Sequence, residues 1–277
     1  MITIFTPTYN RAYRLPDLYK SLVQQTSKNF EWIIVDDCST DNTQELINSW
    51  TNENKIKIIY QRQEQNGGKH RAINKGVKLA QGELFFIVDS DDFLTEDAVE
   101  TIEREWSFCE NKGRYAGLCF RKMTKNLSFS ENSTEKYKIL GDDFPEYRCS
   151  ATSIDIAYKW NCVVDKAEVF LTERLKQNPF PEVKGENFCE EAIVWLKIAK
   201  KKNGLLLCVN KGIYVCEYLE DGLSANLGKK MRGSPLCSFL YFWTLLTIKY
   251  EWKKGNAPIL IKNCLYFMYV ALFKKEN

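Results

Sequence analysis

The sequence predicts an α/β protein whose central sheet is covered by helices on both faces. Three observations lead to this fold class. Strand-like and helix-like segments alternate through the first hundred residues, as they do in folds with parallel sheets. The strand-like runs Trp32–Val35 and Leu84–Val88 are apolar without interruption, which is typical of strands buried on both faces. Polar clusters follow both runs directly, at the position where open parallel sheets bind their ligands.

The individual elements are predicted from local patterns. Leu15, Leu18 and Leu22 recur at helical spacing, and a proline lies in the first turn, where its missing N–H is tolerated. Asp41 resembles the first residue of a capping box that begins a second helix. Further helices are predicted at 67–80, 97–109 and 190–202. Strands are predicted at 2–6, 32–35, 56–60, 84–88, 116–120, 205–209 and 213–217.

Two regions depart from this alternation. Residues 121–161 are polar with weak periodicity, and we expect loops and short strands there, over the functional edge of the sheet. From residue 228 onward the pattern is helical, aromatic and basic, with nine basic and two acidic residues. This segment has a formal charge of +7, against +3 for the whole chain. We therefore predict one domain over residues 1–227 and a helical tail over residues 228–277.

Composition excludes several classes of protein. The 277 residues are 44% hydrophobic and 27% charged, which is ordinary for a globular chain and argues against disorder. A net charge of +3 is too small to suggest a nucleic-acid partner. The ten cysteines form no C-x-x-C pair, and the chain opens directly into a strand-like run without a signal peptide. We therefore expect a cytoplasmic protein with reduced, mostly buried thiols and no membrane span.

Four polar clusters fall at the predicted carboxyl ends of strands, so they should meet at one edge of the sheet. A single such cluster would be a turn, but four on one edge predict a binding site. The clusters are Thr6–Arg11, Asp36–Asp37, Asn66–Lys69 and Asp89–Asp92.

The segment 89–92 (Asp-Ser-Asp-Asp) is the most informative of the four. Three carboxylates within four residues repel one another, so the segment costs stability unless a cation neutralises it. Asp89 and Asp91 can point the same way because alternate residues of an extended chain do so. Carboxylate oxygens suit Mg²⁺ or Mn²⁺, with substrate phosphates as further ligands. The alternative is a solvated acidic turn that caps the next helix; the buried strand before the segment favours the metal site.

The other clusters are open to more than one interpretation. Asp37 comes too early to cap a helix, and its carboxylate could accept a hydrogen bond from a nucleotide base. Lys69 and Arg71 follow a Gly-Gly turn, where backbone and cations can approach a diphosphate, although such a turn is weak evidence by itself. His70 is more simply a loop or supporting residue than a catalyst. Neither a G-x-G-x-x-G motif after the first strand nor a P-loop motif occurs.

These motifs together resemble family 2 glycosyltransferases of the GT-A fold, over about residues 2–105. The segments that carry the resemblance are TPTYNR at 6–11, VDDCSTD at 35–41, NGG at 66–68, NKG at 74–76, GE at 82–83 and VDSDD at 88–92. The resemblance implies a Rossmann-type central sheet. It also implies that the chain transfers a sugar from a nucleoside-diphosphate sugar to an acceptor hydroxyl with inversion. The donor implied by the resemblance is a UDP-sugar. We expect a saccharide or lipid-linked saccharide as acceptor.

The resemblance also implies roles for individual residues. Asp91 and Asp92, with Asp89, would form the metal-binding DxD element, with Mn²⁺ or Mg²⁺ as cofactor. Asp37 would bind the uracil, and Lys69 would lie near the phosphates. The predicted donor-binding set is Thr6, Pro7, Tyr9, Arg11, Asp37, Lys69, Asp89, Ser90 and Asp91.

A second match concerns the catalytic base. Glu190 and Glu191, followed by an amphipathic helix, resemble the acidic pair of the family, although the second position is usually Asp. We predict Glu191 as the base, with Glu190 and Glu186 in supporting positions; Glu186 is the rival candidate. A structural alternative is simple complementarity of the acidic pair to the helix N-terminus.

Three further interpretations remain open at this point. The chain could be a nucleotide-sugar-binding protein without transfer activity, or a sugar nucleotidyltransferase. The latter would carry a glycine-rich signature after the first strand, which is missing here. The basic aromatic tail could pack as core, or it could contact the cytoplasmic face of a membrane.

Overall fold

The computed structural model describes residues 1–125, 136–162, 164–216 and 226–273. The strands of these residues are β1 (Ile2–Thr8), β2 (Phe30–Asp36), β3 (Ile58–Arg62), β4 (Leu84–Ile87), β5 (Phe93–Leu94), β6 (Tyr115–Lys125), β7 (Tyr137–Ile139), β8 (Arg148–Ala151), β9 (Lys166–Leu171) and β10 (Leu205–Val215). The helices are α1 (Leu15–Val23), α2 (Thr43–Glu53), α3 (Lys69–Leu79), α4 (Ala98–Ser107), α5 (Thr172–Lys176), α6 (Ala192–Ala199), α7 (Leu227–Gly233), α8 (Pro235–Leu246), α9 (Lys249–Lys253) and α10 (Ala257–Phe273).

All ten strands belong to one mixed sheet. Eight of them follow the order β3-β2-β1-β4-β9-β6-β10-β5, while β7 pairs with β6 and β8 with β10. Strands β1 to β4 run parallel, as the alternating pattern predicts. Strand β9 is antiparallel to both of its neighbours, β4 and β6, while β6 and β10 are parallel to each other. The carboxyl ends of β4, β6 and β10 therefore lie at the same edge as the beginning of β9. Strands β6 and β10 thus run in the same direction as β1 to β4, and the expectation of a parallel sheet fails where the antiparallel β9 lies between β4 and β6.

Helices cover both faces of the sheet, which confirms the predicted α/β class. One face packs on α1, α2 and α4 through residues such as Leu18, Ile47 and Ile102, all fully buried. The other face packs on α3, α6 and α8, and its core includes Ile193 and Cys237. Because each helix presents one apolar stripe to the sheet, the apolar strand runs are buried from both sides. All ten cysteines are free thiols, and eight of them are buried.

Several local predictions differ from the structure. Helix α2 begins at Thr43, and Asp41 instead accepts hydrogen bonds from the backbone N–H groups of Ala12 and Thr43, so the capping-box prediction is wrong in position. The two strands predicted at 205–209 and 213–217 are one strand, β10, whose pairing with β6 shifts register between Cys208 and Gly212. Position 217 lies outside the described residues.

The tail contributes helices α7 to α10, and α8 packs against both α6 and α10. The backbone N–H groups at the start of α8 meet the carboxylate of Glu186. Helix α8 thus forms part of the core between the sheet and α3 and α6, while much of α10 faces outward. Exposed side chains of α10 include Leu265, Leu272 and Phe273.

Candidate active site

The acidic segment 89–92 lies at the carboxyl end of β4, and Tyr214 of β10 fixes its shape. The buried Tyr214 hydroxyl donates a hydrogen bond to Asp92 Oδ2 at 2.6 Å and accepts one from the Asp89 backbone N–H at 3.1 Å. Ser90 and Asp92 are buried, whereas Asp89 and Asp91 are partly exposed. The carboxylates of Asp89 and Asp91 are therefore accessible at the edge of the sheet. The hydrogen bonds of Tyr214 to Asp89 and Asp92 tie both ends of the segment to β10.

Lys69 joins this segment to the acidic pair that precedes α6. Its Nζ lies 2.6 Å from Asp89 Oδ1 and 2.7 Å from Glu191 Oε1. Burial alone would lower the pKa of Lys69, but the charges of the two carboxylates raise it above its ordinary value. Lys69 is the first residue of α3, directly after Gly68. Residues that are 20 and 122 positions away along the chain thus meet on one ammonium group.

The electrostatics of the acidic segment leave an excess of negative charge. Burial and then the charge of Asp89 raise the pKa of Asp92 to about 7, and the same two causes raise the pKa of Asp91. Burial acts in the same direction on Asp89, but Lys69 and Lys122 hold its pKa below the usual range. The charge of Asp91 and Asp92 is therefore the part that a bound cation would neutralise.

A divalent cation fits this arrangement only if the ligand supplies part of its coordination. Across residues 1–125, 136–162, 164–216 and 226–273, no three side chains among His, Cys, Asp and Glu come together as a metal-binding group. Mg²⁺ is commonly held by one or two carboxylates together with substrate phosphates. Asp91 offers such a carboxylate at the partly exposed edge, and Asp92 lies beside it, buried and hydrogen-bonded to Tyr214 through Oδ2. Oxygen is the donor type that Mg²⁺ and Mn²⁺ prefer.

Asp37 shapes the Gly-Gly turn that leads into α3. Its carboxylate accepts hydrogen bonds from Gln63 Nε2 at 2.7 Å and from the backbone N–H groups of Gly67 at 2.8 Å and Gly68 at 2.7 Å. Gly68 has φ +89°, and a Cβ there would lie 1.8 Å from the Asn187 carbonyl oxygen, so this position requires glycine. Asp37 thus has a structural role that the sequence did not suggest.

Arg71 does not face the site as the sequence suggested. Its guanidinium donates to the carbonyl oxygens of Gly67, Val183 and Glu186, because the loop before α6 folds over the start of α3. His70 is expected from the sequence to be a loop or supporting residue, and the structure contradicts only the loop alternative. It lies in the first turn of α3 with 1% exposure, and burial lowers its pKa to about 4.

The residues predicted for the nucleoside pocket occupy different depths. Thr6 is fully buried, and its hydroxyl accepts a hydrogen bond from Trp32 Nε1 at 3.0 Å, so it joins β1 to β2 beneath the loops that follow these strands. Pro7 is buried at the end of the same strand, whereas Tyr9 is 44% exposed. Arg11 donates from Nη1 to the Tyr13 hydroxyl at 2.7 Å, and its charge acts on Asp91.

The loops that follow β1 and β2 form one continuous rim. The Asn10 backbone N–H donates to Ser39 Oγ at 2.9 Å, and Asn10 Oδ1 accepts from the Thr40 backbone N–H at 2.7 Å. Asn10 has φ 52°, a left-handed conformation that asparagine tolerates better than most residues. Tyr9 and Arg11 therefore flank a fixed turn beside the acidic segment.

The three candidate bases are held in different ways. Glu191 lies at the N-terminal boundary of α6 and contacts Lys69. Glu190, just before it, has a pKa raised by burial and by the charge of Glu191. Glu186 is 2% exposed, and its two oxygens accept from the backbone N–H groups of Leu236 at 2.9 Å and Cys237 at 2.8 Å. Glu186 therefore caps α8, whereas Glu191 is the carboxylate of the three that contacts the Lys69 ammonium.

A small cavity of about 40 Å³ lies between the acidic segment and Glu191. Sequence reasoning missed three of its charged or polar lining residues, which are Lys122, Glu168 and Tyr214; Lys166, a candidate acceptor-side residue from the sequence, also lines it. Burial raises the pKa of Glu168 to about 7, although Lys122 acts in the opposite direction. A wider groove of about 350 Å³ lies at the opposite edge of the sheet, where its charged lining residues are Lys28, Lys55 and Lys57 and none is acidic.

Comparison with known proteins adds a family and a fold. The family described as Glycosyl transferase family 2 matches residues 3–127. Glycosyltransferase GlyG of Streptococcus pneumoniae is 36% identical over 106 residues, which are 38% of this chain and 35% of GlyG. The chain spans about a third of the length of the curated relatives it matches.

Two groups of solved structures share the fold over nearly the whole chain. The structure of Staphylococcus aureus TarS 1–349 in complex with UDP-GlcNAc covers 97% of this chain and 72% of its own, with a TM-score of 0.61 and 20% identity. The mannosyltransferase PcManGT of Pyrobaculum calidifontis, in complex with GDP-Man and Mn²⁺, covers 98% of this chain and 70% of its own, with a TM-score of 0.54 and 17% identity. At these identities the likeness establishes the GT-A fold alone.

Proposed function

We propose that this chain, which belongs to glycosyl transferase family 2 through residues 3–127, transfers a sugar from a nucleoside-diphosphate sugar to an acceptor hydroxyl. A UDP-sugar is the proposed donor, and a saccharide or lipid-linked saccharide the proposed acceptor. The observation that carries the proposal is the Lys69 ammonium, which touches Asp89 on one side and Glu191 on the other. It brings an element suited to a diphosphate and its cation within reach of a candidate base.

The donor side of the proposed site would act mainly by charge. Asp91 and Asp92 would hold a divalent cation, which when bound neutralises the diphosphate as the leaving group departs. Tyr214 keeps the acidic segment in one conformation, so the carboxylates need not reorganise when the donor binds. Lys69 adds a fixed positive charge beside the phosphates, and Asp37 holds the Gly-Gly turn from which α3 begins. We propose Tyr9 and Arg11 as contacts on the nucleotide side.

The acceptor side would supply the base. Glu191 would take the proton of the acceptor hydroxyl while its oxygen attacks the anomeric carbon from the face opposite the diphosphate, which inverts the configuration there. Without donor, the Lys69 ammonium is shared between Asp89 and Glu191. A diphosphate would compete with Glu191 for this ammonium. The carboxylate would then be released for the acceptor once the donor is in place.

Donor screening tests this proposal directly. Thermal unfolding is measured with UDP- and GDP-sugars in the presence and absence of Mn²⁺, because a ligand that binds the native state raises its apparent stability. We expect stabilisation by a UDP-sugar in Mn²⁺ and slow release of UDP by hydrolysis. Stabilisation without release of UDP from any donor, in the presence of any acceptor, would instead indicate a binding protein. No stabilisation by any nucleotide would refute the proposed site.

We further propose that the tail contacts an anionic membrane surface. None of the helices formed by the described residues is long and apolar enough to cross a bilayer. Helix α10 nevertheless exposes large apolar side chains, among them Leu265 at 62%, Leu272 at 67% and Phe273 at 71%. Lysines accompany this surface at positions 249, 253, 254 and 262. Basic residues near anionic lipid contribute about 1 kcal/mol each, and interfacial aromatic side chains add to this.

Sedimentation with liposomes tests the membrane proposal. We expect the protein to pellet with vesicles that contain phosphatidylserine at low salt, and to stay in the supernatant with neutral vesicles. Replacing Lys253 and Lys254 by Glu should weaken binding, whereas the same change at Lys75, on the exposed side of α3, should not. Equal recovery in the supernatant with both kinds of vesicle would contradict the proposal.

A further inference from the structure

We propose that Glu168 and Lys122 bind one hydroxyl group of the transferred sugar and thereby select the donor. The inference rests on the proposed function and adds to it the residues that recognise the sugar. Neither residue belongs to a motif of the sequence, and neither has a role in the mechanism described above. Both line the cavity that separates Asp89 from Glu191, where the bond to the sugar must break.

Glu168 occupies a position that the fold would otherwise fill with an apolar side chain. It lies on β9, opposite Cys119 of β6, and Cys119 is fully buried in the core on the face that packs on α3, α6 and α8. Two residues further along the same face, Phe170 stacks on Trp195 of α6 with ring centroids 4.5 Å apart. Alternate residues of a strand share a face, so Glu168 continues the row that packs under α6. The neighbouring side chains of Cys119 and Phe170 are apolar, so the carboxylate of Glu168 indicates a functional role.

The charge of Glu168 is costly to keep where it is. Burial raises its pKa to about 7, and the negative charge of Glu191 acts in the same direction, while Lys122 partly offsets both. Glu168 is half-buried, and ionisable groups that are removed from water lose stability unless they find partners; such groups concentrate at functional sites. Glu191 is the proposed base and the acidic segment the proposed cation site, so neither role remains for Glu168. A hydroxyl group of the donor is a partner that the cavity can admit.

Lys122 supplies the opposite half of the contact. It lies near the end of β6, and its ammonium is 4.3 Å from the centre of the Tyr214 ring. Burial would lower the pKa of Lys122, but Asp89 and Asp92 raise it, so the side chain stays charged. A hydroxyl group between Lys122 and Glu168 can accept a hydrogen bond from the ammonium and donate one to the carboxylate. A substituent without a hydroxyl would leave both groups unsatisfied.

The dimensions of the cavity restrict what enters it. A water molecule needs about 10–15 Å³ of such space, so 40 Å³ holds a few waters or one small substituent, not a sugar ring. The ring would therefore lie over the opening with one substituent inside. The lining carries three lysines and three acids, namely Lys69, Lys122, Lys166, Asp89, Glu168 and Glu191. Balanced charge favours a neutral hydroxyl over a carboxylate-bearing sugar.

The experiment compares UDP with UDP-sugars. Binding is measured by calorimetry in Mn²⁺ for UDP, for the tightest of UDP-glucose, UDP-galactose and UDP-GlcNAc, and for the deoxy analogues of that donor. We expect the affinity of wild type for one particular deoxy analogue to lie on the order of tenfold or more below its affinity for the donor. The reason is that Glu168 and Lys122 then lose the hydroxyl that is their common partner. Glu168→Leu should bind UDP within about twofold of wild type and lose the preference for that hydroxyl.

Two variants serve as controls. Glu168→Gln keeps a hydrogen-bonding side chain and should retain part of the preference, with thermal stability equal to wild type or higher because no charge is buried. Glu173→Gln changes an exposed carboxylate on α5 and should leave every affinity unchanged. An undiminished preference in Glu168→Leu would overturn the inference, and so would an equal loss for UDP and UDP-sugar, which would indicate a structural role. Failure of wild type to bind UDP at all would refute the proposed function as well.

Discussion

His70, the single histidine, should make the stability of this protein fall as the pH drops from about 6.5 to 4. The side chain is 1% exposed, and neither ring nitrogen has a hydrogen-bond partner among the described residues. Burial therefore favours the neutral ring, and it lowers the pKa of His70 from 6.5 to about 4. Above pH 6.5 the ring is neutral in both states. Below it the unfolded chain binds a proton first, so stability is lost as the pH falls.

The magnitude follows from linkage. One pKa unit corresponds to about 1.4 kcal/mol, so the full shift is worth about 3 kcal/mol, of which about 2 kcal/mol is lost between pH 7.5 and 5. Glu168 and Asp92 act in the opposite direction because their pKa values are raised to about 7. The comparison must therefore be made with a variant. His70→Leu keeps those groups and removes the titrating ring.

Urea unfolding at several pH values provides the assay. The free energy of unfolding of wild type minus that of His70→Leu should fall by about 2 kcal/mol from pH 7.5 to 5. Because Leu leaves no polar atom without a partner, the variant should be at least as stable as wild type at pH 5. A difference between the two proteins that does not depend on pH would refute the reasoning, since it would mean that His70 binds its proton equally well in both states.

Three further predictions concern carboxylates at or near the site. Asp37→Ala should lower the free energy of unfolding by about 1–3 kcal/mol, measured in urea, because two backbone N–H groups of the Gly-Gly turn lose their acceptor; unchanged stability would show that water replaces the carboxylate. Glu191→Gln should keep UDP affinity while turnover falls on the order of 10²-fold or more in a UDP-release assay with acceptor. Glu186→Gln should keep turnover and lose about 1 kcal/mol of stability as a weakened helix cap. Normal turnover in Glu191→Gln together with an inactive, folded Glu186→Gln would move the base to the loop before α6.

The sequence predicts the parts of the fold that depend on local pattern. The apolar runs at β2 and β4 and the leucine spacing of α1 each occupy the elements they indicate. The reversal of β9 could not be predicted, because the direction of a strand depends on how the chain returns to the sheet. Residues 121–161, which connect β6 toward β9, carry little periodicity. Helix α2 likewise begins two residues after Asp41, since that carboxylate is engaged by Ala12 of a different loop.

The candidate site divides in the same way. The acidic segment, Asp37 and the pair at 190–191 are short motifs that stand out in the sequence. Tyr214, Glu168 and Lys122 join them from strands, at positions 33 to 125 residues beyond Asp89, and no motif surrounds them. A charged residue at a core-facing position of β9 is the one signal that identifies Glu168, and it is visible only once the face of the strand is known. Long-range juxtaposition thus supplied what local pattern could not.

The proposed function depends on the acidic segment binding a cation together with a nucleoside diphosphate. Calorimetric titration of UDP in Mn²⁺ and in EDTA tests it most directly, with Asp91→Ala as the variant and the exposed Asp17→Ala as the control. Because carboxylates and diphosphate repel each other without a cation, we expect UDP to bind wild type and Asp17→Ala only in Mn²⁺, and Asp91→Ala in neither condition. Equal UDP affinity of wild type in Mn²⁺ and in EDTA would contradict the claim.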